Sequence, residues 1–497
     1  MRDRRGGRLA GSGKRDESRG LLPRPASIPF LIVFSVAACG RVAVPGGVGI
    51  LGPRVTEGQE IRAGQRAARD ATRTLGLVAD QALQDYVQQI GGRLAELSDR
   101  TELPWTFRVV DDPMPNSFAL PGGFVFVTRG LVGVVNSEAE LAAVLAHEIA
   151  HVNARHGLQA LTRQRGADLS LWAVPVAELR ALDGGATAGP GLLLAEHSAN
   201  EERDADDLGF RYLRGAGYDV RDVADLLAAL GRLEVVGGRS ALPSWLTSHP
   251  DPGDRAQEAA RRATGVQEPV ESLRQNRFEY LDQIEDLVYG HDPRQGFFRG
   301  AVFVHPELRF QVQMPGGWRY RSLAQALVAT SPERDAAVQL TIAEQIAPTE
   351  AAARFLAQPG VSASGEVASD IVGGNPAASV PFRVTTNAGT GAGVAGWVAY
   401  GGRTYQIVGI GTGEAANGQT AFRDVVRSFG RVTDPRLLEV RPNRINIVRL
   451  GRATTFEDFN RRYPSVIDVE EVALLNRVTG PGSRLRAGGR VKRVVKG

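Results

Sequence analysis

Two histidines and a glutamate in this chain have the spacing of a metal-dependent hydrolase. His147 and His151 are four residues apart, so on a helix they lie on one face and can bind one metal ion. Glu148 follows the first histidine, where its carboxylate can take a proton from a water molecule that the metal polarises. The chain has only 7 histidines in 497 residues, so a chance occurrence of the pattern is improbable. The spacing predicts a zinc hydrolase with one Zn²⁺ per chain.

The residues around this motif predict that it lies inside a helix. Ser137 and Glu140 form the S-x-x-E pattern of an N-terminal capping box shortly before the motif. Apolar residues recur at helical spacing, at Leu141, Val144, Leu145, Ile149 and Val152. The alternative interpretation is a surface helix with two solvated histidines, and the combination of motif, cap and downstream carboxylates favours the metal site.

A third metal ligand is predicted further along the chain. A catalytic zinc site needs a third protein ligand and an open position. Glu202 and Asp206 are four residues apart and share a helix face. We predict that Glu202 binds zinc and that Asp206 accepts a hydrogen bond from a ligating histidine. On its own, such an acidic run is typical of a solvated helix face, and the upstream motif favours the ligand interpretation.

Three stretches resemble elements of one zinc metallopeptidase family, the family that includes HtpX and the CAAX prenyl proteases. Residues 198–209 resemble the family pattern S-R-x-x-E-x-E-A-D-x-x-G, with Asp204 in place of the second glutamate and Ala199 in place of the arginine. Residues 115–128 resemble the N-A-F-A-L-P-G-G strand of the soluble, periplasmic lipoprotein branch. Residues 247–250 resemble the later S-H-P element of that branch.

The resemblance extends over residues 61–275 and implies a mainly helical, gluzincin-type metallopeptidase domain with a small sheet. By resemblance, the zinc ligands are His147, His151 and Glu202, the general base is Glu148, and the residue supporting the ligands is Asp206. These are the roles that spacing alone also favours.

Residues 116–128 are expected to form an edge strand that binds an extended substrate, main chain to main chain. Pairing of this kind reads the backbone rather than side chains, so we expect a loose sequence preference. The residues of this substrate strand are Asn116, Phe118, Leu120, Gly122 and Gly123.

His249 and Arg255 belong to the later element of the resemblance, and His249 has three interpretations. Either residue could stabilise the oxyanion that forms during peptide hydrolysis. His249 could instead fill the open position of the zinc and hold the enzyme latent. The third interpretation is that His249 and Pro250 form only a turn.

Residues 1–38 resemble a bacterial lipoprotein signal peptide. Basic residues precede an apolar run over residues 28–36, which leads to Cys39, the single cysteine of the chain. We expect export to remove the signal and a lipid to anchor Cys39, followed by a tether over residues 39–60. Glycine at position 40, directly after the cysteine, is typical of lipoproteins of the outer membrane. The alternative interpretation of Cys39 is a buried free thiol.

Residues 300–432 are predicted to form an α+β domain in which short strands alternate with glycines. The domain resembles PsbP-like domains through Phe310, residues 315–318 and residues 428–429. We find no catalytic constellation in it, and we interpret its histidine, His305, as structural.

Residues 276–299 are predicted as a linker, and residues 441–497 resemble a degenerate LysM module of βααβ order. The G-D-T-L sequence usual in that family is missing, and residues 451–455 stand in its place. The resemblance implies glycan binding, and the missing motif leaves a structural cap or a partner-docking module as alternatives.

Charge is unevenly distributed along the chain, although the net charge is only +4. Residues 1–38 carry 8 basic and 3 acidic groups, and residues 441–497 carry 13 basic and 5 acidic groups. The basic end could contact peptidoglycan, lipopolysaccharide or phospholipid, and the alternative is a solvated basic surface. We find no nucleic-acid-binding module.

Together these features predict a zinc endopeptidase that degrades misfolded or misassembled proteins of the bacterial cell envelope. The expected location is the periplasm, with a lipid anchor in the outer membrane. The sequence contains no run of about 18 apolar residues, the length that a helix needs to span a bilayer, so we expect the anchor alone to hold the protein at the membrane. One alternative is a peptidoglycan endopeptidase of the cell wall. The other is a chaperone or assembly factor whose protease activity is rarely used.

Overall fold

The computed structural model describes most of the chain and leaves several predicted features outside its range. It describes residues 55–163, 197–236, 249–250, 252–322, 326–333, 335–343, 345–358, 360–386, 389–413, 415 and 418–497. The predicted signal peptide, Cys39, most of the tether and residues 247–248 lie outside these residues, so the predictions made for them stay predictions.

The N-terminal part is mainly helical and contains a small sheet, as predicted. Its helices are α1 (Glu57–Leu75), α2 (Gln81–Ala95), α3 (Arg129–Val134), α4 (Glu138–Asn153), α5 (His156–Arg163), α6 (Ala199–Gly215), α7 (Asp222–Val236), α8 (Pro252–Ala263) and α9 (Arg277–Gln283). Its strands are β1 (Thr106–Val110), β2 (Ser117–Leu120) and β3 (Phe124–Thr128), in the order β1-β3-β2. Among the described residues, no helix is long and apolar enough to cross a bilayer.

Helix α4 carries the His-Glu-x-x-His motif and lies at the centre of the N-terminal part. Every residue from Glu138 to Val152 is buried, so the alternative of a surface helix with solvated histidines is wrong and the buried surface extends beyond the apolar stripe. The predicted capping box is half present: the Ser137 side chain accepts from the Glu140 N–H, but the Glu140 carboxylate accepts from the N–H of Asn136 instead. A helix buried on all sides requires each of its polar groups to find a partner.

The hairpin of β2 and β3 corrects the predicted edge strand over residues 116–128. β3 lies in the middle of the sheet, where it pairs parallel with β1 and antiparallel with β2, so within residues 116–128 only β2 lies at an edge of the sheet. Gly122 and Gly123 form the turn with φ angles of +82° and +96°, which glycine adopts without strain. A Cβ on Gly122 would lie 2.7 Å from the Ile61 Cα, so α1 packs directly on this turn.

The middle part of the chain is rich in strands. The short strand β4 (Val288–Tyr289) precedes it. The strands of the middle part are β5 (Phe297–Arg299), β6 (Val302–His305), β7 (Phe310–Gln313), β8 (Arg319–Ser322), β9 (Ala326–Thr330), β10 (Ala336–Ala343), β11 (Val361–Ala363), β12 (Ala368–Val372), β13 (Asn375–Thr386), β14 (Gly389–Tyr400), β15 (Arg403–Gly411) and β16 (Gly430–Arg431). The larger sheet has the order β11-β13-β14-β15-β10-β9-β8, and β12 pairs with β13 beside it.

A helix covers each face of this larger sheet. α10 (Pro348–Leu356) packs Phe355 against Trp397 and Phe382, and α11 (Gln419–Arg427) packs against the other face with Phe422. Alternate residues of β14 face the two helices, as the period of a strand requires. This arrangement agrees with the predicted α+β class.

The C-terminal part has the two predicted helices between a first and a last strand, with two additional two-residue strands, and it is not separate from the N-terminal part. Its elements are β17 (Asn443–Arg449), β18 (Thr454–Thr455), α12 (Phe456–Arg462), α13 (Val469–Leu475), β19 (Arg484–Leu485) and β20 (Arg490–Lys496). β17 pairs with β20 and also with β4, which lies in the stretch predicted as a linker. Tyr280 and Leu281, from the same stretch, are buried in the core of the N-terminal part. Residues 276–299 therefore differ from a linker, because they bury apolar side chains and extend a sheet.

Polar contacts join the C-terminal part to the turn between α3 and α4. The Lys492 amino group donates to the carbonyl oxygens of Gly133, Val134 and Val135 at 2.8, 3.1 and 2.8 Å. Nearby, the Arg477 guanidinium donates to the Glu140 carboxylate at 2.8 Å. Burial lowers the pKa of Lys492 well below its usual value. Lys492 thus satisfies three carbonyls at the end of α3, immediately before the metal-motif helix begins.

We expect Lys492→Ala to destabilise the protein by about 1–3 kcal/mol or more, because it leaves buried carbonyl oxygens without a donor. Thermal unfolding of the variant should start at a clearly lower temperature than that of the wild type. Lys496→Ala is the matched control, since Lys496 ends the same strand but is exposed. Equal, small effects of the two substitutions would contradict this role of Lys492.

Candidate metal centre

Helices α4 and α6 bring the predicted ligands together. α6 begins at a complete capping box, in which the Ser198 hydroxyl accepts from the Glu201 N–H and the Glu201 carboxylate accepts from the Ser198 N–H. Gly209 lies where α6 meets α4, and a Cβ there would be 3.2 Å from the backbone nitrogen of His147. The close approach of the two helices places Glu202 beside both motif histidines.

The distances between the donor atoms define a compact cluster. His147 Nε2 lies 3.0 Å from His151 Nε2 and 3.4 Å from Glu202 Oε2. His151 Nε2 lies 3.3 Å from Glu202 Oε1. His249, from the later element, joins the cluster, with its Nδ1 3.2 Å from His147 Nε2 and 3.0 Å from Glu202 Oε1. All four side chains are buried, and their ligand atoms lie within 4.8 Å of one another.

This donor set fits zinc. Zn²⁺ takes nitrogen and oxygen ligands at about 2.0–2.1 Å in a tetrahedron, whose edges are then about 3.3 Å long. The separations of 3.0–3.4 Å match such edges. His147, His151 and Glu202 would occupy three corners, and His249 Nδ1, 3.2 Å from His147 Nε2 and 3.0 Å from Glu202 Oε1, lies beside the fourth. The cluster can therefore hold a metal ion, with His249 at the position that water or substrate would need.

Further side chains orient the ligands from behind. Asp206 Oδ1 lies 3.0 Å from His147 Nδ1, which leaves Nε2 of this histidine for the metal. His151 Nδ1 lies 2.9 Å from His156 Nδ1 and can donate to it when Nε2 binds the metal. Both histidines are thus held through the ring nitrogen that faces away from the cluster.

Arg255 lies in this supporting layer. Its guanidinium donates to both Asp206 carboxylate oxygens at 2.8 and 2.7 Å, and Nη1 lies 2.6 Å from Glu202 Oε2. A guanidinium with such a bidentate partner is held in one orientation. The structure places Arg255 against the carboxylates of Asp206 and Glu202, and its role in stabilising the oxyanion stays a prediction.

Glu148 lies on the side of the cluster where the fourth corner is. The hydroxyl of Ser117, on β2, donates to Glu148 Oε1 at 2.7 Å. His249 Nε2 lies 3.5 Å from the same oxygen. The His249 ring therefore stands between the metal ligands, which its Nδ1 faces, and Glu148, which its Nε2 faces.

Burial and charge act in opposite directions on these groups. Burial raises the pKa of Glu148, but the hydrogen bond and charge of His249 and the charges of His151 and His147 hold it at about 2. Burial lowers the pKa of His249, while the charge of Glu202 and its contacts with both carboxylates raise it above its usual value, and metal binding at Nδ1 would release the proton from that nitrogen. Glu148 is therefore a carboxylate near neutral pH, the form that a general base needs.

The predicted substrate strand offers its backbone but not its large side chains. Phe118 stacks on Phe126 with ring centroids 4.9 Å apart, and Leu120 is buried in the same cluster against α1. Asn116 is also buried, and its side-chain oxygen accepts from the Ser117 N–H. Gly122 and Gly123 lie in the turn that follows.

Sequence reasoning missed His156, His197 and Ser117. The His197 ring stacks on His151 with centroids 3.9 Å apart, and its Nδ1 is buried without a hydrogen-bond partner in the described part of the chain. Histidine is rare in this chain, so His156, five residues after the motif, and His197, directly before the Ser198 cap of α6, were themselves a signal. Ser117 gave no such signal, because only the packing of β2 on α4 brings it to Glu148.

Comparisons with known proteins agree with this geometry. The sequence model of peptidase family M48 matches residues 81–263. The beta-barrel assembly-enhancing protease of Escherichia coli (strain K12) is 29% identical over 230 residues, which are 44% of this chain and 47% of that protein. The mitochondrial metalloendopeptidase OMA1 of Schizosaccharomyces pombe is 32% identical over 166 residues, 33% of this chain and 48% of that protein.

The chain thus spans about half the length of the curated relatives that it matches. A solved structure of cyanobacterial PsbP from Synechocystis sp. PCC 6803 covers 27% of this chain and 94% of its own, at 15% identity and a TM-score of 0.23. That likeness is too distant to support a conclusion about the strand-rich part. The metal cluster, Glu148 and their supporting residues all fall within residues 81–263, the part of the chain that matches the model of peptidase family M48.

Proposed function

We propose that the protein is a zinc metalloendopeptidase. The observation that carries this proposal is the buried cluster of donor atoms from His147, His151, Glu202 and His249 beside the carboxylate of Glu148. A hydrolytic site needs a metal position and a base on the same side of it, and α4 supplies both.

The residues of the site have separate roles in peptide hydrolysis. Zinc, when bound, polarises the substrate carbonyl and the attacking water. Glu148 takes the proton of that water at its carboxylate and passes it to the nitrogen of the leaving amine. Arg255 and Asp206 keep Glu202 and His147 in their orientations.

The edge of β2 is the proposed binding place of the substrate. The backbone N–H of Thr128 donates to the carbonyl of Asn116, so hydrogen bonding alternates along this antiparallel pair. The alternation directs the backbone groups of Ala119 away from β3, towards the free edge. An extended peptide can pair there without contacting Phe118 or Leu120, which supports a loose sequence preference.

We further propose that His249 keeps the enzyme latent. Its ring stands between the ligand cluster and Glu148, where the attacking water has to be. Water can enter only when this imidazole moves away. An oxyanion donor would instead lie beside the carbonyl oxygen of the substrate and leave the space in front of Glu148 open.

The proposed substrates are misfolded or misassembled proteins of a bacterial envelope, reached from a lipid anchor at Cys39. Support comes from relatives named beta-barrel assembly-enhancing proteases, and from the lipoprotein-like sequence before the described residues. For residues 441–497 we propose the role of a structural cap in preference to glycan binding. Lys492 bonds these residues to the end of α3 and Arg477 bonds them to the first turn of α4, which supports that role.

Glu148→Gln should retain zinc and fold but lose proteolysis. The amide is nearly isosteric with the carboxylate but cannot take the proton, and loss of a general base lowers rates by about 10²–10⁴-fold. Casein cleavage and metal analysis of the purified variant measure the two properties. His147→Ala is the comparison variant, which should lose zinc as well as activity. Full proteolysis by Glu148→Gln would remove this residue from the mechanism.

His249→Ala should raise basal proteolysis of an unfolded substrate by roughly tenfold, because most molecules then no longer have an imidazole in the place of the attacking water. The zinc content should stay near one per chain, because three ligands remain. His291→Ala, which removes a histidine outside the cluster, should leave the rate unchanged. A lower rate at unchanged zinc content would show that His249 assists catalysis rather than blocking it.

Export should remove residues 1–38 and leave an acylated Cys39 at the new N-terminus. Mass spectrometry of the protein extracted from membranes tests this expectation directly. An unmodified Cys39 within an intact N-terminus would overturn both the lipid anchor and the proposed location.

A further inference from the structure

Ser117 is a buried hydroxyl in contact with the general base. It lies on β2, is fully buried, and donates from Oγ to Glu148 Oε1 at 2.7 Å. Its backbone N–H is already bonded to the Asn116 side chain, so the hydroxyl contact is separate from the bonds of the strand. Hydrogen bonds to a charged acceptor are roughly twice as strong as neutral ones.

The alternation of β2 decides which way the Ser117 hydroxyl faces. Side chains alternate along β2, so Phe118 and Leu120 face the core beside α1 while Ser117 faces α4. The serine therefore places a hydrogen-bond donor on the α4 side of the strand, aimed at Glu148.

We propose that Ser117 is a positioning residue for Glu148. Its hydroxyl holds one carboxylate oxygen and thereby keeps the side chain in the orientation that takes the proton of the attacking water. The inference rests on the proposed peptidase function and adds a residue to that site.

A serine hydroxyl suits this task in both protonation states of the base. It has one donor and two acceptor lone pairs, so it can donate to the carboxylate and accept from the carboxylic acid after proton uptake. The contact therefore survives the proton transfer by rotation of the hydroxyl alone. Because β2 is also the proposed substrate strand, the same strand then sets the positions of the peptide and of the base.

The kinetic test compares Ser117→Ala with the wild type on one peptide substrate. We expect kcat to fall by about tenfold, the range of a lost hydrogen bond to a charged group, with KM and zinc content unchanged. Ser117→Cys, with a weak donor, should lie between the two. Ser331→Ala is the matched control, since the buried Ser331 hydroxyl donates to the Asp335 carboxylate at 2.8 Å in the strand-rich part. An unchanged kcat, or a change in KM alone, would overturn the proposal.

A second measurement does not depend on activity. Ser117→Ala should lower the thermal midpoint of the zinc-loaded protein when Glu148 is present. In a Glu148→Ala background the same substitution should not lower it, because the buried hydroxyl then has lost its acceptor. Equal lowering in both backgrounds would show that Ser117 acts through packing and would overturn the proposal. If the wild type cleaves no protein, the proposed function fails, and this thermal cycle alone decides whether Ser117 holds Glu148.

Discussion

The close packing of α4 against α6 is the contact on which the site depends. α4 carries two histidines and the base, and α6 carries the carboxylates, so neither helix can form the cluster alone. Gly209 permits the approach, since a Cβ there would press on the backbone at His147. A larger residue at this position would separate Glu202 from the histidines. The metal position is therefore a product of helix packing as much as of ligand chemistry.

Bringing these helices together buries several charges, and the surrounding residues follow from that requirement. An ion removed from water costs several kcal/mol unless partners compensate it. Glu202 and Asp206 share Arg255, and Glu148 faces Ser117 and His249. These partners also fix the side-chain orientations, because a buried carboxylate with several donors has few alternatives. The same network thus makes burial tolerable and prepares the donors for a metal ion.

The helical motif and its ligands could be predicted because their physics is local. Four-residue spacing places His147 and His151 on one helix face whatever the remainder of the chain does. The same argument pairs Glu202 with Asp206, and the Ser198 capping box starts their helix from nearby residues. The short strands after residue 300 could likewise be predicted, because they follow from the local alternation of apolar and polar residues and from the turn residues between them. For these features, the sequence determined the element, the face and the residue types before any packing was known.

The position of each group relative to another element was decided only by tertiary structure. The whole of residues 116–128 is predicted to lie at the edge of the sheet, but the hairpin places β3 in the middle of the sheet and leaves only β2 of this stretch at the edge. His249 and Ser117 meet Glu148 through packing between segments that are distant in sequence. Residues 276–299 are predicted as a linker from their sequence, and only the pairing of β17 with β4 shows that they belong to a sheet. Likewise, nothing in the sequence around Lys492 indicates that its side chain caps α3. Local sequence determines periodicity, whereas contacts between distant segments depend on which surfaces the whole chain buries together, and no spacing rule encodes that choice.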